Sequence, residues 1–219
     1  MLVSLWVVAL FASFPVVHFF NPAITWLRIV SHSLGALYNL RVLPGRRRLK
    51  QVYFWKNVTS ATGFMITLFG YPLATAGWGD AAQGFPPGIT WATVLFSGVF
   101  FFLFEVSYEV IYDLRDVKGD ALADVRTYPV VHGERVAINI VDGLIFFSMT
   151  VLLVGYALGF VPWRIFIMVL VPPFQLCFYK RAMARGISTG DCIRMTWIGA
   201  GFIVIYHLWV IAKLPGAGF

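Results

Sequence analysis

Residues 89–120 read ITWATVLFSGVFFFLFEVSYEVIYDLRDVKGD. The stretch carries no charge before Glu105, and its apolar part, 89–111, matches the roughly 20 residues that a helix needs to cross a bilayer. Glu105, Glu109, Asp113, Asp116 and Asp120 then follow at spacings of 4, 4, 3 and 4. On a continued helix this spacing puts all five carboxylates on one face, and Asp124 extends the series if the helix persists past Gly119. A membrane-length helix that ends in an acidic stripe predicts an all-α polytopic membrane bundle whose chemistry lies at one membrane face.

The rest of the 219 residues agree. Hydrophobic residues make up 59% and charged residues 12%, about half the charged share of a soluble protein. The mean hydropathy is +0.79. Seven apolar stretches qualify as transmembrane helices, roughly 2–20, 23–43, 57–77, 89–111, 137–160, 163–179 and 195–213. Asn21-Pro22, Pro44-Gly45, the turn from Gly77 to Gly88, and Val161-Pro162 separate them. With no repeat or linker between them, residues 1–219 read as a single domain. The N-terminus lacks a basic leader and a small-residue cleavage site, so it reads as a membrane helix and not a signal peptide.

The charge alternates along the connections. Arg41, Arg46, Arg47, Arg48, Lys50 and Lys56 follow the second stretch, Arg115, Lys118, Arg126 and Arg135 the fourth, and Lys180, Arg181, Arg185 and Arg194 the sixth. These are 14 of the 17 basic residues, and the opposite connections hold few besides Arg164. The positive-inside rule then predicts cytoplasmic basic loops, a cytoplasmic N-terminus and a C-terminus outside. The net charge of +7 is thereby a matter of topology and anionic lipid, and no basic stripe on a polar fold suggests nucleic acid as a partner. Cys177 and Cys192 flank a basic connection on the cytoplasmic side, where a disulfide is not expected.

Glu105 and Glu109 lie inside an apolar run, where ionised groups are costly. A solvated helix end with salt bridges to Arg115 and Lys118 explains the loop carboxylates, but it does not explain a row of like charges descending into the membrane. A divalent cation whose shell is completed by a bound polyanion does, and Mg²⁺ favours a few carboxylates plus substrate phosphates. The basic run Arg46-Arg47-Arg48-Leu49-Lys50 sits on the same face and suits diphosphate capture as well as topology.

Asp113-x-x-Asp116-x-x-Gly119-Asp120, followed by Arg126-Thr127-x-Pro129-Val130-x-x-Gly133, resembles the second aspartate-rich motif of the UbiA superfamily of intramembrane prenyltransferases. Tyr38 … Arg48-Leu49-Lys50-Gln51 … Asn57 is similar to a cytoplasmic loop of that family, in the branch that includes chlorophyll synthase. The resemblance implies a helical bundle around a cavity open to lipid. It also implies Mg²⁺-dependent transfer of a prenyl group from a polyprenyl diphosphate to a lipid-soluble acceptor: an aromatic, a quinone precursor or a tetrapyrrole. Asp116 and Asp120 would coordinate Mg²⁺, with Asp113 in or beside that shell. Arg48, Lys50, Asn57, Lys118 and Arg126 would bind the diphosphate, and Tyr108 and Tyr112 would line the wall near the developing cation.

The family places this motif on its sixth helix, whereas here it follows the fourth apolar stretch. The family's first aspartate motif has no counterpart before Glu105, and no acid at all precedes Asp80. The expected fold is therefore a UbiA-type bundle shortened at its N-terminus. The alternative is a non-catalytic homologue that binds lipid, quinone or pigment within a larger membrane complex, whose other subunits fill the groove left by missing helices.

Other residues carry smaller expectations. His18, His32 and His207 suit helix–helix hydrogen bonds, and His132 suits a phosphate or a loop contact. Arg28 needs a partner, for which Glu105 or Glu109 would serve. Trp55, Trp78, Trp91 and Trp163 read as interface anchors. Asp142 and Asp191 read as cap or first-turn residues.

Overall fold

The structure, a computed structural model, describes residues 2–76 and 89–215, with side chains from residue 8 onward. The expected turn from Gly77 to Gly88, with Trp78, lies outside the described residues. The helices are α1 (Leu2–Phe20), α2 (Pro22–Asn39), α3 (Trp55–Met65), α4 (Tyr71–Thr75), α5 (Trp91–Leu122), α6 (Tyr128–His132), α7 (Glu134–Ala157), α8 (Phe166–Val169), α9 (Val171–Arg185) and α10 (Thr189–Ile211). A π-helical turn, Ile66–Gly70, joins α3 to α4, so the third apolar stretch forms one irregular rod. Among the described residues four helical segments are long and apolar enough to cross a membrane: Trp91–Leu122, Glu134–Ala157, Trp163–Arg185 and Thr189–Ile211. Val8–Phe20 within α1 is apolar as well.

Local chemistry sets the breaks. Asn21 caps α2 by accepting a bond from Ile24 N at 3.2 Å, and Pro22 occupies the first turn, where no amide donor is needed. Thr90 caps α5 through Thr93 N at 3.2 Å. Ser188 and Asp191 cap α10 reciprocally. Hydropathy finds only the apolar interior of a helix. The last helix accordingly starts at Thr189 rather than near residue 195, and α5 runs past 111 to Leu122.

α5 is the central element. Its buried Phe100, Phe104, Val110 and Ile111 pack with Val141, Ile145 and Leu152 of α7, Tyr179 of α9 and Met195 of α10. Gly155 lets α7 approach α5, since a Cβ there would stand 3.0 Å from the Phe96 ring. Phe146, Phe147, Phe174, Trp197 and Ile211 point outward, and an apolar surface of that kind needs a bilayer to cover it. Trp55, Trp91 and Trp163 are exposed at helix starts, as interface anchors should be.

Three expectations are corrected. Arg28 does not reach α5: its guanidinium bonds Ser13 Oγ at 2.7 Å and lies 4.3 Å from the centre of the Phe14 ring, because α1 and α2 are adjacent hairpin partners. Asp142 is no cap, since α7 begins at Glu134; its carboxylate accepts from the Tyr179 hydroxyl and from Lys180 Nζ of α9. His32 and His207 bond carbonyls of their own helices, Arg28 O at 2.6 Å and Ile203 O at 2.8 Å, rather than bridging between helices. Cys177 and Cys192 are free thiols.

Gly155→Val should lower the thermal unfolding midpoint in detergent, by an overpacking cost of about 1–3 kcal/mol. An unchanged midpoint would show that α5 and α7 have slack at this point.

Candidate functional site

The five carboxylates lie on the single helix α5, and α3 supplies the answer to their repulsion. Lys56, Asn57 and Ser60 stand at positions i, i+1 and i+4, one face of the first turns of α3. Ser60 Oγ donates to Glu109 Oε1 at 2.6 Å. Asn57 Nδ2 donates to Asp113 Oδ2 at 2.8 Å. Lys56 Nζ meets Asp113 Oδ1 at 2.5 Å and Asp120 Oδ2 at 3.0 Å. Asp113 is 1% exposed and Lys56 14% exposed at the side chain, so this is a largely dry bridge. Burial alone would lower the Lys56 pKa, but Asp113 and Asp120 outweigh it and raise the value, which keeps the ammonium charged.

The backbone before α3 is bent to deliver these groups. Phe54, its N-cap residue, has a φ of +72°, a conformation costly for a non-glycine residue. The preceding loop turns tightly at Gly45 and Arg46, with a bridge from Leu43 to Arg47. Within it, Lys50 Nζ lies 5.8 Å from the centre of the Tyr38 ring, and Arg48 Nε is buried with no protein partner. This loop docks on the segment after α5. Gln51 Nε2 reaches Ala123 O at 3.5 Å, the Tyr53 hydroxyl bonds His132 Nε2 at 2.7 Å, and the Tyr53 and Tyr128 rings meet edge to face. The motif residues after α5 therefore form a structural corner: Pro129 opens α6, and Gly133, with φ of +83°, turns the chain into α7.

Sequence-selected residues divide into groups. Asp113 and Asp120 converge on Lys56, and Asn57 holds the second oxygen of Asp113. Asp116 faces away, paired to its neighbour Arg115, with a side chain 45% exposed. Lys118 is exposed near the end of α5 and Arg126 in the connection after it, where Arg126 with Tyr53 and Asp124 lines a surface cavity of about 460 Å³. Tyr108 and Tyr112 line a cavity of about 240 Å³ on the side of α5 towards α10, with Phe64, Phe101, Phe104, Glu105 and Ile203. Their hydroxyls are tied to Met195 O and Thr196 Oγ1 of α10, which turns the rings into a fixed wall. Lys56, Ser60 and Tyr53 were not among the residues selected from sequence. The signal for the first two was available, a polar face Lys56-Asn57-x-x-Ser60 opening an apolar helix.

The convergence of Asp113 and Asp120 on one cationic position fits an ion such as Mg²⁺, which is commonly held by one or two carboxylates plus substrate phosphates. Among the described residues no group of three or more His, Cys, Asp or Glu side chains forms an all-protein metal cage.

Fold and site together define a helical membrane bundle with a charge-compensated acidic pole beside an apolar cavity. The chain belongs to the UbiA prenyltransferase family, whose model matches residues 1–211. It is 30% identical over 109 residues to a digeranylgeranylglyceryl phosphate synthase of Natronomonas pharaonis, a match that spans 48% of this chain and only 37% of that relative's length. No solved structure matches.

Asp113→Ala should cost about 3–5 kcal/mol of stability, because it leaves the buried Asn57 amide without its acceptor and the Lys56 ammonium with Asp120 alone. Asp116→Ala should cost less than about 1 kcal/mol, because its partner is partly solvated. Unfolding of both variants in detergent checks the difference, and equal losses would contradict it.

Proposed function

We propose that the chain transfers a prenyl group from a polyprenyl diphosphate to a lipid-soluble acceptor. The observation that supports this best is the junction on α5. There, Asp113 and Asp120 share one cation position on the same helix whose Tyr108 and Tyr112 wall an apolar cavity. A prenyl diphosphate has the same two parts, a polyanionic head and an apolar tail.

In this reading the tail enters the cavity between α5 and α10. Arg48, Lys50, Lys118 and Arg126 meet the diphosphate, and the unpaired Nε of Arg48 is a donor suited to a phosphate oxygen. Asn57 positions Asp113 for this task through its amide. As the bond from the allylic carbon to the diphosphate oxygen breaks, the electron pair leaves with the diphosphate and positive charge grows on carbon. The faces of Tyr108 and Tyr112 steady that charge without reacting with it. The acceptor then forms the new bond and gives up a proton. Asp113 and Asp120, with Asp116 nearby in sequence, would hold Mg²⁺, which when bound neutralises charge on the departing diphosphate. The acceptor is an aromatic, a quinone precursor or a tetrapyrrole, and the name of the archaeal relative adds a glyceryl phosphate lipid to the candidates. The positive-inside rule puts the acidic pole and the N-terminus at the cytoplasmic face, with the C-terminus outside.

A second reading, a non-catalytic subunit that binds lipid, quinone or pigment in a larger complex, is favoured by one observation: the shared cation position already holds Lys56.

Binding of a labelled long-chain polyprenyl diphosphate to the purified protein, with and without Mg²⁺, separates the two. Prenyl transfer requires Mg²⁺-dependent binding that falls by about tenfold or more in Asp113→Asn/Asp120→Asn and in Arg126→Gln, the size expected for loss of charge-assisted contacts. No binding in the wild type would leave the non-catalytic reading.

A further inference from the structure

Lys56 lies inside the acidic stripe rather than beside it. Its ammonium touches one oxygen from each of two carboxylates seven residues apart on α5. The remaining oxygen of Asp113 is held by Asn57, so that carboxylate cannot turn away without losing a second bond. The lysine enters from the first turn of α3, two residues after the positive-φ Phe54. Two carboxylate oxygens aimed at one point form a position for a single cation, and a second positive charge a few ångströms away would be strongly repelled in such a dry place.

We propose that Lys56 is the resident counter-cation of the acidic pole and competes with divalent metal for the position between Asp113 and Asp120. This rests on the assignment of those two carboxylates as the metal-facing pair. The lysine stem is flexible and its ammonium is a compact charge, so the group can vacate the position without moving α3. In the resting protein the acidic stripe is then neutralised from within. A metal ion binds only to the fraction of molecules whose lysine has swung out, and its apparent affinity is reduced by that fraction.

Mn²⁺ binding to the full chain in detergent, read from the paramagnetic resonance signal of the free ion, tests this without any assay of turnover. Lys56→Met and Lys56→Gln should each bind Mn²⁺ at least about tenfold more tightly than wild type. Adding Asp113→Asn/Asp120→Asn should abolish the gain in both. Equal affinity in wild type and the Lys56 variants, with both sensitive to the aspartate changes, would overturn the competition and leave the metal-facing pair standing. Binding indifferent to the aspartate changes would overturn both. A second measurement needs no variant: saturating Mn²⁺ should speed modification of Lys56 by a small amine-reactive reagent, followed by mass spectrometry. An unchanged rate would contradict displacement of the ammonium.

Discussion

The bridge from Lys56 to Asp113 and Asp120 is the interaction around which the site is organised. α5 must carry carboxylates down from the membrane face, and a row of like charges on one helix face opposes itself. Each charge would also be poorly solvated where the apolar run begins. α3 resolves this with an ammonium, an amide and a hydroxyl on one face, matched in turn to Asp113 and Asp120, to Asp113, and to Glu109. The match fixes the register of α3 against α5. Removing Asp113 does more harm than removing a surface carboxylate, because the Asn57 amide stays buried without its acceptor.

With α3 so placed, the two sides of α5 serve different ends. Towards α3 the helix is charged and hydrogen-bonded. Towards α10 it presents Tyr108 and Tyr112, held by bonds to Met195 and Thr196, along an apolar cavity. The loop that carries Arg48 and Lys50 is fastened to the corner after α5 by Gln51 and Tyr53. Cations, carboxylates and apolar wall are thereby arranged around the C-terminal half of one helix, a setting suited to a molecule with a charged head and a hydrocarbon tail. Membership in the UbiA prenyltransferase family agrees with that division of labour.

Much of the fold was legible in the sequence because a bilayer imposes a simple rule. Every expected apolar stretch contains a helix, although the third is interrupted by a π turn. The ends were less legible, since polar turns such as Thr189–Arg194 are helical through capping and carry no hydropathy signal. The carboxylate stripe was legible because it depends only on spacing along one helix. Its partners were not, because Lys56 and Asp113 are brought together by packing across 57 positions. The same holds for Arg28, which was assigned to α5 on charge and pairs with Ser13 on geometry, and for Asp142, whose partners lie on α9. Asp116 shows the reverse case, a motif residue whose immediate neighbour Arg115 draws it away from Asp120.

In the proposed function the acidic pole takes the head of a prenyl diphosphate while the cavity between α5 and α10 takes its tail. Photo-crosslinking with a polyprenyl diphosphate analogue that carries a diazirine in its tail tests this directly, with mapping of the labelled peptides and inorganic pyrophosphate as competitor. Prenyl transfer at this site predicts labelling of the α5 and α10 segments around Phe101, Tyr108 and Ile203, suppressed by pyrophosphate. Labelling confined to the outer faces of α1 and α2, or indifferent to pyrophosphate, would contradict it.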